Sequence, residues 1–206
     1  SDDLKKLAEC IRGFAAVLVT LGKTDAAMGL FQEHDRICLE IGDMRSLQRS
    51  LGNQAVALYR KGKLDEALEL FDRQEALCRE LSEKTGLVRC LNNKALVLNT
   101  RDDLDNAMKL HREVEIICRE LGNPAILAVN LGNQAIILWK WGKLGKAMEL
   151  FKNQEHIARE LGDPYGIQRS LGNQALILRD ILDYDGAMVL HREQEKICRE
   201  LGHFDG

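Results

Sequence analysis

The chain has 206 residues, 45% of them hydrophobic and 30% charged, with a formal net charge of −3. Its 29 basic against 32 acidic residues exclude the basic excess that supplies most nucleic-acid affinity. No apolar run reaches the roughly 18 residues of a membrane span, and two prolines are too few for a linker-rich chain. The opening Ser1-Asp2-Asp3-Leu4-Lys5-Lys6 is no signal peptide. Aromatic residues make up 5%, so the expected core is aliphatic.

Taken in chain order, the sequence is one unit written five times. Ile11-Arg12-Gly13-Phe14-Ala15 is a degenerate first copy of Leu51-Gly52-Asn53-Gln54-Ala55. Leu91-Asn92-Asn93-Lys94-Ala95 is a variant, and Leu131-Gly132-Asn133-Gln134-Ala135 and Leu171-Gly172-Asn173-Gln174-Ala175 restore the pattern. The starts at 51, 91, 131 and 171 give a period of 40. Ala27, Ala67, Ala107, Ala147 and Ala187 keep the same step, as do the endings Arg-Glu-Leu from Arg79, Arg119, Arg159 and Arg199. The units are approximately 5–43, 44–83, 84–123, 124–163 and 164–203, with no insertion between them.

Each unit predicts two helices. In the second, Leu47, Leu51, Ala55 and Leu58 form one apolar stripe, which predicts a helix over about 45–61. Gly62 breaks it, and a second helix starts near Leu64. Asp25, Asp65, Asp105 and Asp185 fall in second-helix first turns, where a carboxylate suits the helix dipole. Ala67, Leu70, Phe71, Leu77, Cys78 and Leu81 supply the second helix's buried face. Turn residues follow at Gly42-Asp43, Ser82-Glu83, Gly122-Asn123-Pro124 and Gly162-Asp163-Pro164.

A hairpin of this size buries its faces only by stacking on neighbours, which implies an all-α, right-handed superhelical solenoid of five helix-turn-helix repeats, a single array over 1–206. The order Leu51, Ala55, Leu58, Gly62, Leu64, Ala67, Phe71 resembles the tetratricopeptide repeat over about residues 5–203. That family's usual period is about 34 residues. The six extra residues are expected to lengthen the second helix and its turn, and the Leu-Gly-Asn signature looks like that of Pins/LGN-type adaptors. The chain stops without a polar capping helix after the fifth unit, so it is expected to be a fragment of a longer protein whose exposed last hairpin is apolar.

The register absorbs the residues that could carry chemistry. Cys38, Cys78, Cys118 and Cys198 share one position with Ala158, and Cys10 and Cys90 share another with Ser50, Asn130 and Ser170, so both columns read as small and buried. Equivalent positions in adjacent units should lie about 10 Å apart, beyond disulfide reach. No Cys-x-x-Cys or His-Glu-x-x-His exists. His111 and His191 replace Phe31, Phe71 and Phe151, and Met28, Met108, Met148 and Met188 read as core. Gln134 and Gln174 have no acid–base partner that singles out one unit. No enzyme, metal or cofactor is expected, and free thiols point to a reducing, cytoplasmic setting.

Two glutamine columns depart from the family. Gln54, Gln134 and Gln174 occur with Gln74, Gln154 and Gln194, whereas the third unit has Lys94 with Val114. The two amides are expected to meet inside each hairpin, the alternative being that both point to solvent.

What remains is the first helix's outer stripe. It holds Arg49, Asn53, Val56 and Arg60 with Tyr59, then Arg89, Asn93, Leu96 and Thr100. It continues with Val129, Asn133, Ile136 and Lys140 beside Trp139, and with Arg169, Asn173, Leu176 and Asp180 beside Arg179. Asn is a poor helix former, yet it recurs mid-helix in four units. An amide both donates to and accepts from a peptide backbone. The resemblance implies asparagines on ligand main chain and arginines on acidic side chains. Six cations oppose Glu9 and Asp180, an excess of four positive charges. Tyr59 and Trp139 supply apolar anchors, and Gly52, Gly132 and Gly172 are expected to let a ligand backbone approach. The expected function is a non-catalytic scaffold for an extended acidic protein or peptide segment, with neither nucleic acid nor membrane as partner. The alternative is a structural spacer, or a module self-associating through its terminal hairpin.

Overall fold

The computed structural model describes residues 2–200. Among them the chain forms ten helices and no strand. They are α1 (Asp2–Thr20), α2 (Thr24–Ile41), α3 (Met44–Arg60), α4 (Leu64–Glu80), α5 (Lys84–Thr100), α6 (Leu104–Glu120), α7 (Pro124–Lys140), α8 (Leu144–Glu160), α9 (Pro164–Asp180) and α10 (Tyr184–Glu200). From α3 onward every helix has 17 residues. The two helices of each of these repeats are thus equal in length.

Each link turns through a left-handed residue. Gly22, Gly42, Gly62, Gly122, Gly142 and Gly162 have positive φ, and Ser82, Asp102 and Leu182 adopt it at the equivalent places. Gly42 N–H bonds Leu39 O and Asp43 N–H bonds Cys38 O, which satisfies carbonyls at the end of α2. Asp43 and Asn123 then cap the next helices by accepting from Ser46 and Ile126 N–H. Pro124 and Pro164 open α7 and α9, where a missing N–H costs nothing.

Contacts divide the chain into two compact units between Ala107 and Met108. In the first, α1 pairs with α2 and α3 with α4, and α5 packs on α4. In the second, α7 pairs with α8 and α9 with α10, and α8 packs on α9. The alanine columns let these helices approach closely: Ala15, Ala55, Ala95, Ala135 and Ala175 are wholly buried, as are Ala27, Ala67, Ala107 and Ala147. Ala55, Leu58, Ala67, Phe71, Cys90 and Val97 form one core cluster, and Ala8, Ile37, Cys38, Leu47 and Leu51 another.

The expected glutamine pair does not form. Gln54 Nε2 donates to Asp35 Oδ2 at 2.7 Å and to Ser50 Oγ at 3.2 Å, while Gln74 Nε2 donates to Gln48 Oε1 at 3.1 Å. Gln54, Lys94, Gln134 and Gln174 of this column lean toward the preceding repeat, because the carboxylate there is the stronger acceptor. Gln134 reaches Glu115 and Gln174 reaches Glu155, both at 2.6 Å, and Lys94 reaches Glu75 at 2.8 Å. Each of these clasps spans 19 residues. Gln74, Gln154 and Gln194 instead fill the space above Gly52, Gly132 and Gly172. These glycines thus make room for a glutamine of their own hairpin, which corrects the reading that they admit a ligand backbone.

One variation couples two columns. His111 is buried and its Nδ1 lies 3.0 Å from Asn130 Nδ2, while Asn130 Oδ1 accepts from Gln134. Where the first position is Phe31, Phe71 or Phe151, the second is Ser50, Cys90 or Ser170. Cys10 departs from the buried reading of its column: it is exposed, because α1 has no preceding helix over it among the described residues. Met188 and His191 on α10 are exposed for the same reason of position, and Cys198 is half-buried.

Candidate functional site

The stripe lies where helical periodicity puts it. On α3, Leu51, Ala55 and Leu58 turn inward and are buried, while Asn53 and Val56 are half-buried and Arg49 and Arg60 exposed. The same alternation holds on α5, α7 and α9, where Asn93, Asn133 and Asn173 are half-buried. Helices α3 and α5 touch directly in the first unit, and α7 and α9 in the second. The fold therefore sets the stripes of two consecutive repeats side by side in each unit.

None of the side-chain amides of Asn53, Asn93, Asn133 and Asn173 has a hydrogen-bond partner among the described residues, although each sits mid-helix. Arg49, Arg60, Arg89 and Arg169 are exposed and have neither an ion-pair nor a hydrogen-bond partner there. The stripe's other members are tied together. Tyr59 Oη lies 3.2 Å from Thr100 Oγ1. Trp139 Nε1 donates to Asp180 Oδ2 at 2.7 Å, and Arg179 pairs with Asp180 at 3.3 Å. Lys140 is exposed at the end of α7. These aromatic rings are half-buried and held in place by polar groups of the following repeat.

Asn99 is a candidate that the sequence reading passed over. It shares the column of Tyr59, Trp139 and Arg179, and its Oδ1 is buried without a partner. The signal was present in that column's run of large polar side chains.

The four buried thiols are poor nucleophiles. Cys38 Sγ lies 3.5 Å from His34 Nε2, but burial pushes the Cys38 thiol up to about 11, and Cys78 likewise. Burial also raises Cys90 and Cys118. All six cysteines are free. Among the described residues no three of His, Cys, Asp and Glu gather as a metal site, and no helix is long and apolar enough to cross a membrane.

Comparisons with known proteins agree on the fold. The tetratricopeptide repeat family model matches residues 46–120. No curated protein matches the chain. BtubC (BKLC) from P. vanneervenii superposes with a TM-score of 0.88 at 17% identity, covering 98% of this chain and 84% of that one. The TPR-like repeats of a putative kinesin light chain from Podospora anserina give 0.77 at 16% identity, covering 94% and 95%. The Rap conjugation gene regulator of plasmid pLS20, in complex with the Phr* peptide, gives 0.69 at 14% identity, covering 92% of this chain and 53% of that one. The fold is thus an all-α helical-repeat solenoid of the tetratricopeptide type.

Proposed function

We propose that this chain, folded as a tetratricopeptide-type solenoid, is a non-catalytic scaffold that binds an extended, acidic segment of a protein partner. The observation that carries the reading is the set of four mid-helix asparagines with no partner of their own. Asn costs a helix stability relative to Ala, and here no intramolecular hydrogen bond offsets that cost. A ligand main chain would use both ends of each amide. Arg49, Arg60, Arg89 and Arg169, unpaired beside them, would receive acidic side chains and speed encounter. Tyr59 and Trp139 would offer ring faces. The pLS20 regulator, of similar fold, is a peptide complex, which supports the analogy. The 40-residue period and the Leu-Gly-Asn motif favour kinship with Pins/LGN-type adaptors, and six free thiols suit a reducing cytoplasm.

The test is a peptide-array search followed by calorimetry on Asn133→Ala and Arg89→Ala. Both substitutions should weaken binding while leaving thermal stability unchanged or, for Asn133→Ala, slightly raised by up to about 0.5 kcal/mol. Unchanged affinity in both variants would sink the proposal. So would a loss of stability beyond about 1 kcal/mol in Asn133→Ala, which would make the amide structural.

A second reading, self-association through a terminal hairpin, is favoured by exposed Phe14, Val17 and Leu21 on and after α1 and Leu182 and Tyr184 at the start of α10. Sedimentation of a specific dimer that ignores Arg89→Ala would support it.

A further inference from the structure

Repeats separated by 120 residues can be laid on one another position by position, and one outer cleft changes character completely. In the first unit a cleft of about 490 Å³ runs between α2 and α4 over α3, lined by Met28, Gln54, Leu58 and Leu70 but also by Asp35, Arg36, Glu66, Glu69 and Arg73. In the second unit the equivalent cleft between α8 and α10 over α9 has about 510 Å³. It keeps Met148, Gln174, Leu178 and Leu190 in those places. Glu66 and Glu69 have become Gly186 and Val189.

The mouth changes as well. In the first unit Lys61 Nζ is 2.5 Å from Asp25 Oδ1, and neither residue lines the cleft; the next repeat repeats the bridge with Arg101 and Asp65 at 2.6 Å. The corresponding pair in the second unit is Ile181 and Gly145, both of which line the cleft. A Cβ built on Gly145 would meet nothing within 4 Å. An ion pair has been exchanged for an apolar rim and an open space. Ile181 and Val189 stand 53% and 60% exposed there, an apolar surface of the kind that marks a binding groove. Among the described residues lining this cleft, Lys152 alone is charged, and it has no ion-pair or hydrogen-bond partner. The equivalent residue of the first repeat is Gln32.

We infer that the α8–α9–α10 cleft is a binding site for a single-chain anionic amphiphile, an alkyl chain ending in a carboxylate. The volume lies within the range of small-molecule sites. An extended peptide would bring an N–H and a C=O with every residue, and each needs a partner. The lining is almost wholly aliphatic, and the side-chain amide of Gln174 is already spent on Glu155. An alkyl chain makes no such demand, and Lys152 meets its single charge. This site is separate from the asparagine stripe and does not rest on its reading.

The probe is dodecanoate, titrated below its micelle concentration into the full chain by calorimetry. One-to-one saturable binding is expected, weakening about tenfold for decanoate as two methylenes are lost. Lys152→Gln should weaken dodecanoate about fivefold, as loss of an exposed ion pair does, and leave dodecanol unchanged. The double variant Gly145→Asp with Ile181→Lys rebuilds the first repeat's bridge across the cleft and should abolish binding while circular dichroism and melting stay as in the parent. Absence of saturable binding overturns the proposal, as does binding that survives the double variant or ignores chain length. Equal loss of dodecanol and dodecanoate in Lys152→Gln overturns the anionic class. Sedimentation of the parent as a dimer, made monomeric by the double variant with no uptake of dodecanoate, would give the cleft to a second copy instead.

Discussion

Gln74 packs over Gly52 so closely that a Cβ on residue 52 would lie 2.6 Å from its Nε2. Gln74 is buried at 1% exposure, donates to Gln48 and leaves its Oε1 without a partner. An added methyl must therefore displace a buried amide. Gly52→Ala gains about 1 kcal/mol of helix propensity but incurs about 1–3 kcal/mol of overpacking. A net loss of about 1 kcal/mol is expected. In a Gln74→Ala background the same change should stabilise, because the obstacle is gone. A double-mutant cycle read by denaturant midpoints checks the reversal of sign.

The third repeat's clasp is an ion pair where its neighbours use an amide. Burial alone would raise the Glu75 carboxyl, but hydrogen bonds from Lys94 and Arg79 overcome it and hold Glu75 below the usual carboxylate range. Lys94→Ala should cost about 1–3 kcal/mol, since it removes a charged hydrogen-bond donor from a part-buried carboxylate. Lys94→Gln, the residue of three other repeats, should recover most of the loss. A carboxyl depressed on folding stabilises above its unfolded pKa and loses that contribution on acidification. The difference between parent and Lys94→Ala should accordingly shrink as pH falls below about 4.5, as thermal melts across pH would show.

His111 is the opposite case. Burial pushes its imidazole down to about 4, and its Nδ1 faces the Asn130 amide nitrogen, an arrangement that only a neutral ring accepts. Below about pH 6.5 the unfolded chain takes up a proton that the folded one refuses, so stability is full above that pH and declines as pH falls toward 4. The loss amounts to about 3 kcal/mol across this window. His111→Phe with Asn130→Ser, the pairing of Phe31 with Ser50, should flatten that slope in melts between pH 4 and 7.

Leu182 is 70% exposed and holds φ of 65° at a link position where three other repeats use glycine, Gly22, Gly62 and Gly142. A non-glycine residue there bears roughly 1 kcal/mol of strain. Leu182→Gly should raise the melting temperature, whereas Gly142→Leu at the equivalent link should lower it. Equal melting points would remove strain as the reason.

The helices were legible because their evidence repeats: five copies in register place Leu64 and the break at Gly62 beyond argument, and α3 and α4 end within a residue or so of the expected limits. The asparagine stripe followed from the same periodicity, since a column facing outward on one helix faces outward on all. The glutamines were misjudged for a physical reason. Gln54 and Gln74 occur together across units, and covariation of this kind suggests contact. Each in fact answers to a third party: Gln74 covaries with the glycine beneath it, whereas Gln54 serves a carboxylate 19 residues back, a position that is acidic in every preceding repeat. The third unit displays both relations: Val114 accompanies Asn92, and Lys94 serves Glu75 in place of a glutamine. The apolar cleft escaped because Ile181 and Gly145 mean nothing singly. Only the ion pair formed by their equivalents, Lys61 and Asp25, gives the exchange its sense.

The clasps from Gln54, Lys94, Gln134 and Gln174 each fasten a repeat to the one before it and to no other. Under mechanical load such a chain behaves like a row of press studs. Tension applied at the two ends breaks one fastening at a time, and each break releases one 40-residue length of thread, about 140 Å when drawn out. Force would then be answered by a staircase of nearly equal treads, whose heights would rank the amide clasps against the single lysine one.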